Sequence, residues 1–187
     1  MTNIYFVRHC EPDFSIHEEL IRPLTNKGLE DSKRVAEVLM SKQIHAIYSS
    51  PYKRAIDTVK EVADVLNLKV ATKEDLRERT ITDQWIDDFN GFVKSQWEDF
   101  EYKLSKGECL RQVQERNIKA IKEILDENKG KNVVVGTHGT ALSTILNYYN
   151  KSFGYEEFNR IKSIMPWIIV MEFKGEDFIG FKEIDLD

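Results

Sequence analysis

Short apolar runs alternate with amphipathic stretches along most of the chain. Asn3 to Val7 is mostly apolar and is stopped by Arg8-His9-Cys10, which predicts a short buried strand. Residues 11 to 24 are mixed and polar, broken by Pro12 and Pro23, and read as a loop. Thr25 can cap a helix running to about Ser41, with Leu29, Ala36 and Leu39–Met40 on a shared face. His45 to Tyr48 forms a second strand ended by Ser49-Ser50-Pro51. Ile56, Val59, Val62 and Val65–Leu66 then recur at helical spacing, and Lys69 to Thr72 fits a third short strand. Residues 108 to 128 place Leu110, Val113, Ala120–Ile121 and Ile124–Leu125 on one helical face ended by Gly130. Asn132 to Gly136 is a buried strand, and Gly139 to Tyr149 restarts a helix. Trp167 to Phe173 and Phe178 to Glu183 are two closing strands.

Strands alternating with helices predict an α/β fold: a three-layer α/β/α sandwich with a mostly parallel central sheet, in one domain over residues 1–187. Residues 84–106 break the alternation. They are polar and aromatic, with Trp85, Phe89, Phe92, Trp97, Phe100 and Tyr102, and predict a helical, lid-like insertion. Composition narrows the classes. Lys plus Arg is 27 against 32 Asp plus Glu, a formal charge of −5, which argues against a nucleic-acid partner because phosphate backbones demand a basic surface. Mean hydropathy is −0.46, and no apolar run reaches membrane-spanning length. The N-terminus lacks a signal-peptide pattern, and two cysteines are too few for a disulfide scaffold. The expectation is a soluble cytoplasmic protein with no membrane partner.

In α/β sheets ligands bind beyond the carboxyl ends of the strands. The residues emerging there are Arg8-His9-Cys10-Glu11, Ser49-Ser50-Pro51 and Thr137-His138-Gly139-Thr140, with Arg54 in the next helical turn. Two histidines and two arginines make a cationic cluster in an acidic chain, and a helix starting at Gly139 would add free backbone N–H groups. The guest this predicts is an anion with several oxygens. Arginine suits a phosphoryl group through its planar fork. Neutral His9 could attack phosphorus to form a phosphohistidine, and His138, protonated, could stabilise the transferring oxygens. A departing alkoxide needs a proton, for which Glu78, after the third strand, is the candidate donor.

These segments resemble those of the histidine phosphatase, or phosphoglycerate mutase-like, superfamily. Arg8-His9-Cys10-Glu11 resembles its Arg-His-Gly-Glu opening, and Pro23-Leu24-Thr25-Asn26-Lys27-Gly28 its Pro-Leu-Thr-x-x-Gly helix start. Ser49-Ser50-Pro51-Tyr52-Lys53-Arg54-Ala55 with Thr58, Leu76-Arg77-Glu78, Gly107-Glu108-Cys109 with Val113 and Arg116, and Val134 to Gly139 follow in the family's order. The resemblance implies His9 as nucleophile, with Arg8, Arg54, Gly139 and His138 around the phosphate. It implies Glu78 as proton donor and then base for water, a small phosphorylated substrate, and no metal or cofactor. Two departures stand out: Cys10 replaces the usual glycine, and Arg79 to Asp87 replace the common Gly-x-Trp-Glu-Gly continuation.

Other chemistries fit less well. A cysteine phosphatase would need an arginine six residues after Cys10, where Ile16 stands. The Cys/His spacings match no zinc ligand pair, and neither Gly-x-Gly-x-x-Gly nor a P-loop is present. The expectation is a phosphomonoesterase. The alternatives are a mutase returning the phosphoryl group to a second oxygen, or a non-catalytic phospho-ligand module.

Overall fold

The structure is a computed structural model that describes residues 1–84 and 86–186. Its order is β1 (Thr2–Arg8), α1 (Asn26–Leu39), β2 (Ile44–Ser49), α2 (Lys53–Leu66), β3 (Val70–Thr72), a 3-10 turn at Glu74–Leu76, α3 (Phe89–Glu98), α4 (Leu110–Glu127), β4 (Asn132–Thr137), α5 (Gly139–Tyr149), α6 (Tyr155–Ile161), β5 (Trp167–Lys174) and β6 (Asp177–Ile184). The six strands form one sheet in the order β3-β2-β4-β1-β5-β6. The first four run parallel, and β5 and β6 add antiparallel to β1. The expected three-layer, mostly parallel architecture is present.

The layers follow from the two-residue period of a strand. On β1, Ile4 and Phe6 face a core shared with α3, α4, α5 and α6, while Tyr5 and Val7 face α1 and α2. On β4, Val133 and Val135 face the first core and Val134 the second. Both faces are covered, so these strands read as unbroken apolar runs.

The helices depart in detail from the sequence pattern. Thr25 caps α1 by accepting from Gly28 N at 3.0 Å. The buried face of α1 runs through Gly28, Ser32, Val35, Ala36 and Leu39, so Leu29 and Met40, expected inside, are exposed. Val65 of α2 is likewise exposed. The aromatic insertion contains α3, capped by Asp88, which buries Phe92, Val93, Gln96 and Trp97; Trp85 lies outside the described residues. Helix α6 was not anticipated, and its Phe158 ring lies 5.7 Å from that of Trp97. Among the described residues no helix is long and apolar enough to cross a membrane.

Parallel register aligns the functional strand ends. Arg8 pairs with Thr137, and Ser49 with Gly136. One step further on, His9 N donates to Thr137 O and Ser50 N to Gly136 O, both at 3.0 Å. The ladder thus holds His9, Ser50 and His138 at one edge.

Candidate active site

Beyond those strand ends lies a cavity of about 340 Å³. Its base is formed by Arg8, His9, Arg54, Glu78, Gly139 and Thr140. Its walls come from α3 through Phe89 and Val93, from α6 through Tyr155 and Phe158, and from the loop after β1 through Phe14 and Arg22. Of the six residues singled out in the sequence, five border the cavity. His138 lies directly behind, with no exposed surface.

His9 Nδ1 lies 2.8 Å from the Cys10 carbonyl oxygen. A carbonyl can only accept, so Nδ1 carries the proton and Nε2 keeps its lone pair. Among the described residues Nε2 has no partner. Burial first, then the charge of Arg54, lowers the His9 pKa to about 3, so the ring is neutral at physiological pH. The His138 ring sits edge-on to His9 at 5.3 Å between centroids, and its Nε2 is 2.7 Å from Ser50 Oγ. Its Nδ1 is buried without a partner. His138 was expected to be protonated. In the unliganded protein, burial and then Arg54, His9 and Arg8 hold its pKa well below the usual imidazole value, so it too is neutral.

The arginines are anchored differently. Arg8 donates Nη1 to Ile161 O and Ile164 O and Nη2 to Lys162 O, the carbonyls ending α6 and the turn after it. Its buried Nε has no partner. Gly139 makes this possible, because a Cβ there would lie 3.1 Å from Arg8 Cζ. Burial lowers the Arg8 pKa to about 10, partly offset by Glu78, so it remains charged. Arg54 donates Nη1 to Glu19 O at 2.9 Å and Nη2 to the Glu19 carboxylate at 2.7 Å. That carboxylate is held by Arg22, whose other nitrogens bind Ile16 O and His17 O. An exposed loop carboxylate therefore lies on the arginine expected to grip phosphate.

Glu78 sits at the start of α5. Its Oε1 accepts from Arg79 N (2.8 Å) and Ala141 N (3.0 Å), and its Oε2 from Thr140 N (3.0 Å). The helix-start amides, expected to be free for an anion, are thus largely occupied by Glu78; Gly139 is the one not turned to it. Two carboxylate oxygens offer about four acceptor positions, so one stays open, on Oε2.

A family model, the histidine phosphatase superfamily (branch 1), matches residues 4–179. The chain belongs to this superfamily. Phosphoglycerate mutase-like protein 4 of Arabidopsis thaliana is 32% identical over 157 residues, covering 76% of this chain and 68% of that protein. The metal-independent phosphoserine phosphatase of the same plant is 30% identical over 162 residues, covering 78% and 67%. Among solved structures, Bacillus stearothermophilus YhfR superposes with a TM-score of 0.79 at 25% identity, covering 96% of this chain and 95% of that one.

Several shared motifs of this histidine phosphatase serve the scaffold. Arg116 grips both oxygens of Glu108 and donates to Asp75 O, Arg77 O and Glu78 O, which fixes the segment carrying Glu78. Burial pushes the Glu108 carboxyl up, but Arg116 and Thr80 N–H outweigh it and hold it below the usual carboxylate range. Glu11 accepts from Thr25 Oγ1 at 2.9 Å and so ties the His9 loop to α1. Cys10 belongs to the buried cluster that holds Val35 and Leu39 and is not among the residues lining the cavity, and burial raises its thiol to about 12. It neither fills the site nor supplies a thiolate. Among the described residues no three His, Cys, Asp or Glu side chains gather as a metal would need. Sequence reasoning missed Glu19 on Arg54 and Ser50 on His138; Ser50 alone had a signal, in the segment before Arg54.

Proposed function

We propose that the protein hydrolyses a small phosphomonoester through a phosphohistidine on His9. The observation that carries this reading is a buried, neutral imidazole, proton pinned on Nδ1, bordering a cavity whose base also holds two arginines. Nε2 forms a bond to phosphorus as the P–O bond to the leaving group breaks. Glu78, protonated at the open position on Oε2, gives its proton to the departing alkoxide. Water then attacks phosphorus, the N–P bond breaks, and Glu78 takes the proton from that water. Inorganic phosphate leaves and His9 is restored.

Charge on the transferring oxygens is met by Arg8 Nε, Arg54, the Gly139 amide and His138. A bound dianion favours the imidazolium, reversing the balance that keeps His138 neutral when the site is empty. Glu19 must leave Arg54 for the phosphoryl group to take its place. These cations supply the charge stabilisation that a divalent ion supplies elsewhere. The relatives' activities make phosphorylated amino and hydroxy acids the first substrates to test.

Acid-labile label from such a substrate should attach to the wild type in the presence of EDTA, with release of inorganic phosphate and no isomer. His9→Ala should take up none. Label persisting in that variant, or a requirement for a divalent ion, would overturn the reading.

A further inference from the structure

Residues 14–21, in the loop from β1 to α1, are exposed. Arg22, which follows them, borders the cavity, and its side chain is only 12% exposed. The base of the loop is tied: Asp13 N donates to Pro23 O at 2.9 Å and Thr25 N to Glu11 O at 3.0 Å. The guanidinium is fixed as well. Nε donates to Ile16 O at 2.6 Å and Nη2 to His17 O at 3.1 Å, and the Phe14 ring lies 5.7 Å from Cζ. Nη1 is left for a partner outside the main chain, and it donates to Glu19 Oε1 at 2.9 Å.

The other oxygen of that carboxylate, Oε2, accepts from Arg54 Nη2 at 2.7 Å. One anion therefore bridges two arginines, with one oxygen on each. The Glu19 side chain is 53% exposed, so it can turn into solvent while Arg54 Nη1 keeps the Glu19 main-chain oxygen at 2.9 Å. What its departure leaves is a pair of oriented donors on two neighbouring cations. Those charges repel once the carboxylate is gone, and a phosphoryl group restores the balance. Like a carboxylate, it presents oxygens that guanidinium groups grip through charge-assisted bonds. Burial, Arg54 and Arg8 do most to lower the His9 pKa, and Arg22 adds to them, so its charge is felt at the nucleophile.

We infer that Arg22 is a further phosphate-binding residue: with Glu19 turned away, Arg22 Nη1 and Arg54 Nη2 together hold the phosphoryl group. Glu19 is then the anion that keeps this pair satisfied while the site is empty. The inference rests on the phosphatase reading for the place of the phosphoryl group, but its test does not need turnover. The competing role for Arg22 is to press Glu19 onto Arg54, and the two roles predict opposite signs.

The probe is inorganic phosphate, its affinity measured by calorimetry on the whole chain. In a Glu19→Gln background the competing carboxylate is gone. Adding Arg22→Met there should weaken phosphate binding by about 10- to 100-fold, the range of a hydrogen bond to a charged group. The same substitution in the wild type should cost less, because it also loosens Glu19. Arg22→Lys in the Glu19→Gln background should recover part of the affinity, since it keeps a cation while losing the paired bonds to Ile16 O and His17 O. Tighter binding in wild type carrying Arg22→Met, with no change in the Glu19→Gln background, would overturn the inference and leave Arg22 as the holder of Glu19. A loss that lysine does not recover would also overturn it, making Arg22 a support for the loop. Failure of the phosphatase reading looks different: no phosphohistidine forms in the wild type, with the dependence of phosphate binding on Arg22 intact.

Discussion

Replacing Glu78 by glutamine is isosteric yet should act on both chemistry and stability. Three backbone amides now share the two carboxylate oxygens. The amide oxygen of Glu78→Gln can stay with Arg79 N and Ala141 N, but its NH2 then faces Thr140 N–H, donor against donor. The first two bonds weaken from charge-assisted to neutral and the third is lost, leaving a buried donor unpaired. Together these cost about 2–3 kcal/mol. At about 2–4 °C per kcal/mol for a chain of this size, the midpoint of thermal unfolding should fall by about 4–12 °C. The chemical effect separates by leaving group. An alkoxide departs badly without a proton, whereas p-nitrophenolate is already a stable anion. General acid catalysis contributes roughly 10²- to 10⁴-fold, so phosphoenzyme formation should slow by that much on an alkyl phosphate and far less on p-nitrophenyl phosphate. Rapid-quench measurement of the first step isolates this from any role of Glu78 toward water. An unchanged midpoint would refute the amide-binding account; equal slowing on both esters would refute the proton-donor role.

Acid should unfold the protein partly through its two neutral histidines. His9 sits at about 3 in the fold, whereas an unfolded histidine titrates near its ordinary value, so this contribution is complete above about pH 6.5 and is lost as pH falls toward 3. The loss between pH 7 and pH 5 amounts to about 2 kcal/mol, so urea unfolding of His9→Gln should lose about that much less over this range than the wild type; equal losses would show that His9 is not held neutral. Glu19→Gln should tighten competitive inhibition by inorganic phosphate about two- to fivefold, a modest effect because the Glu19 side chain is 53% exposed and its pairing is screened. An unchanged inhibition constant would show that this carboxylate does not compete for Arg54.

The sheet and the base of the site were legible because both rest on local signals. Apolar runs ended abruptly by Arg8-His9 and by Thr137-His138 mark strand ends, and parallel pairing then brings those ends together without further information. The partners of those residues were not legible. Glu19 reaches Arg54 from 35 positions away, and its own loop carries no periodicity. The charge state of His138 escaped too, since the sequence shows nearby cations but not the burial that outweighs everything else. Helix α6 was lost for want of length: seven residues give Phe158 and Ile161 as its buried positions, too few to establish a period. Leu29 and Met40 failed as core residues because each sits one step off the stripe that α1 turns inward.

The hold of Arg8 on the end of α6 bears on how this enzyme could be redesigned. Its guanidinium belongs at once to the floor of the cavity and, through the carbonyls of Ile161, Lys162 and Ile164, to the helix and turn that wall it. Those contacts are made by main-chain oxygens, which any sequence supplies. Side chains of α6 can therefore be exchanged to admit other substrates without disturbing Arg8. Grafting a wall of different length or path from a related protein would instead remove the acceptors and release Arg8 from its place. Engineering of new specificity should accordingly proceed by point substitution at Tyr155, Phe158 and Asn159 before any loop or helix is transplanted.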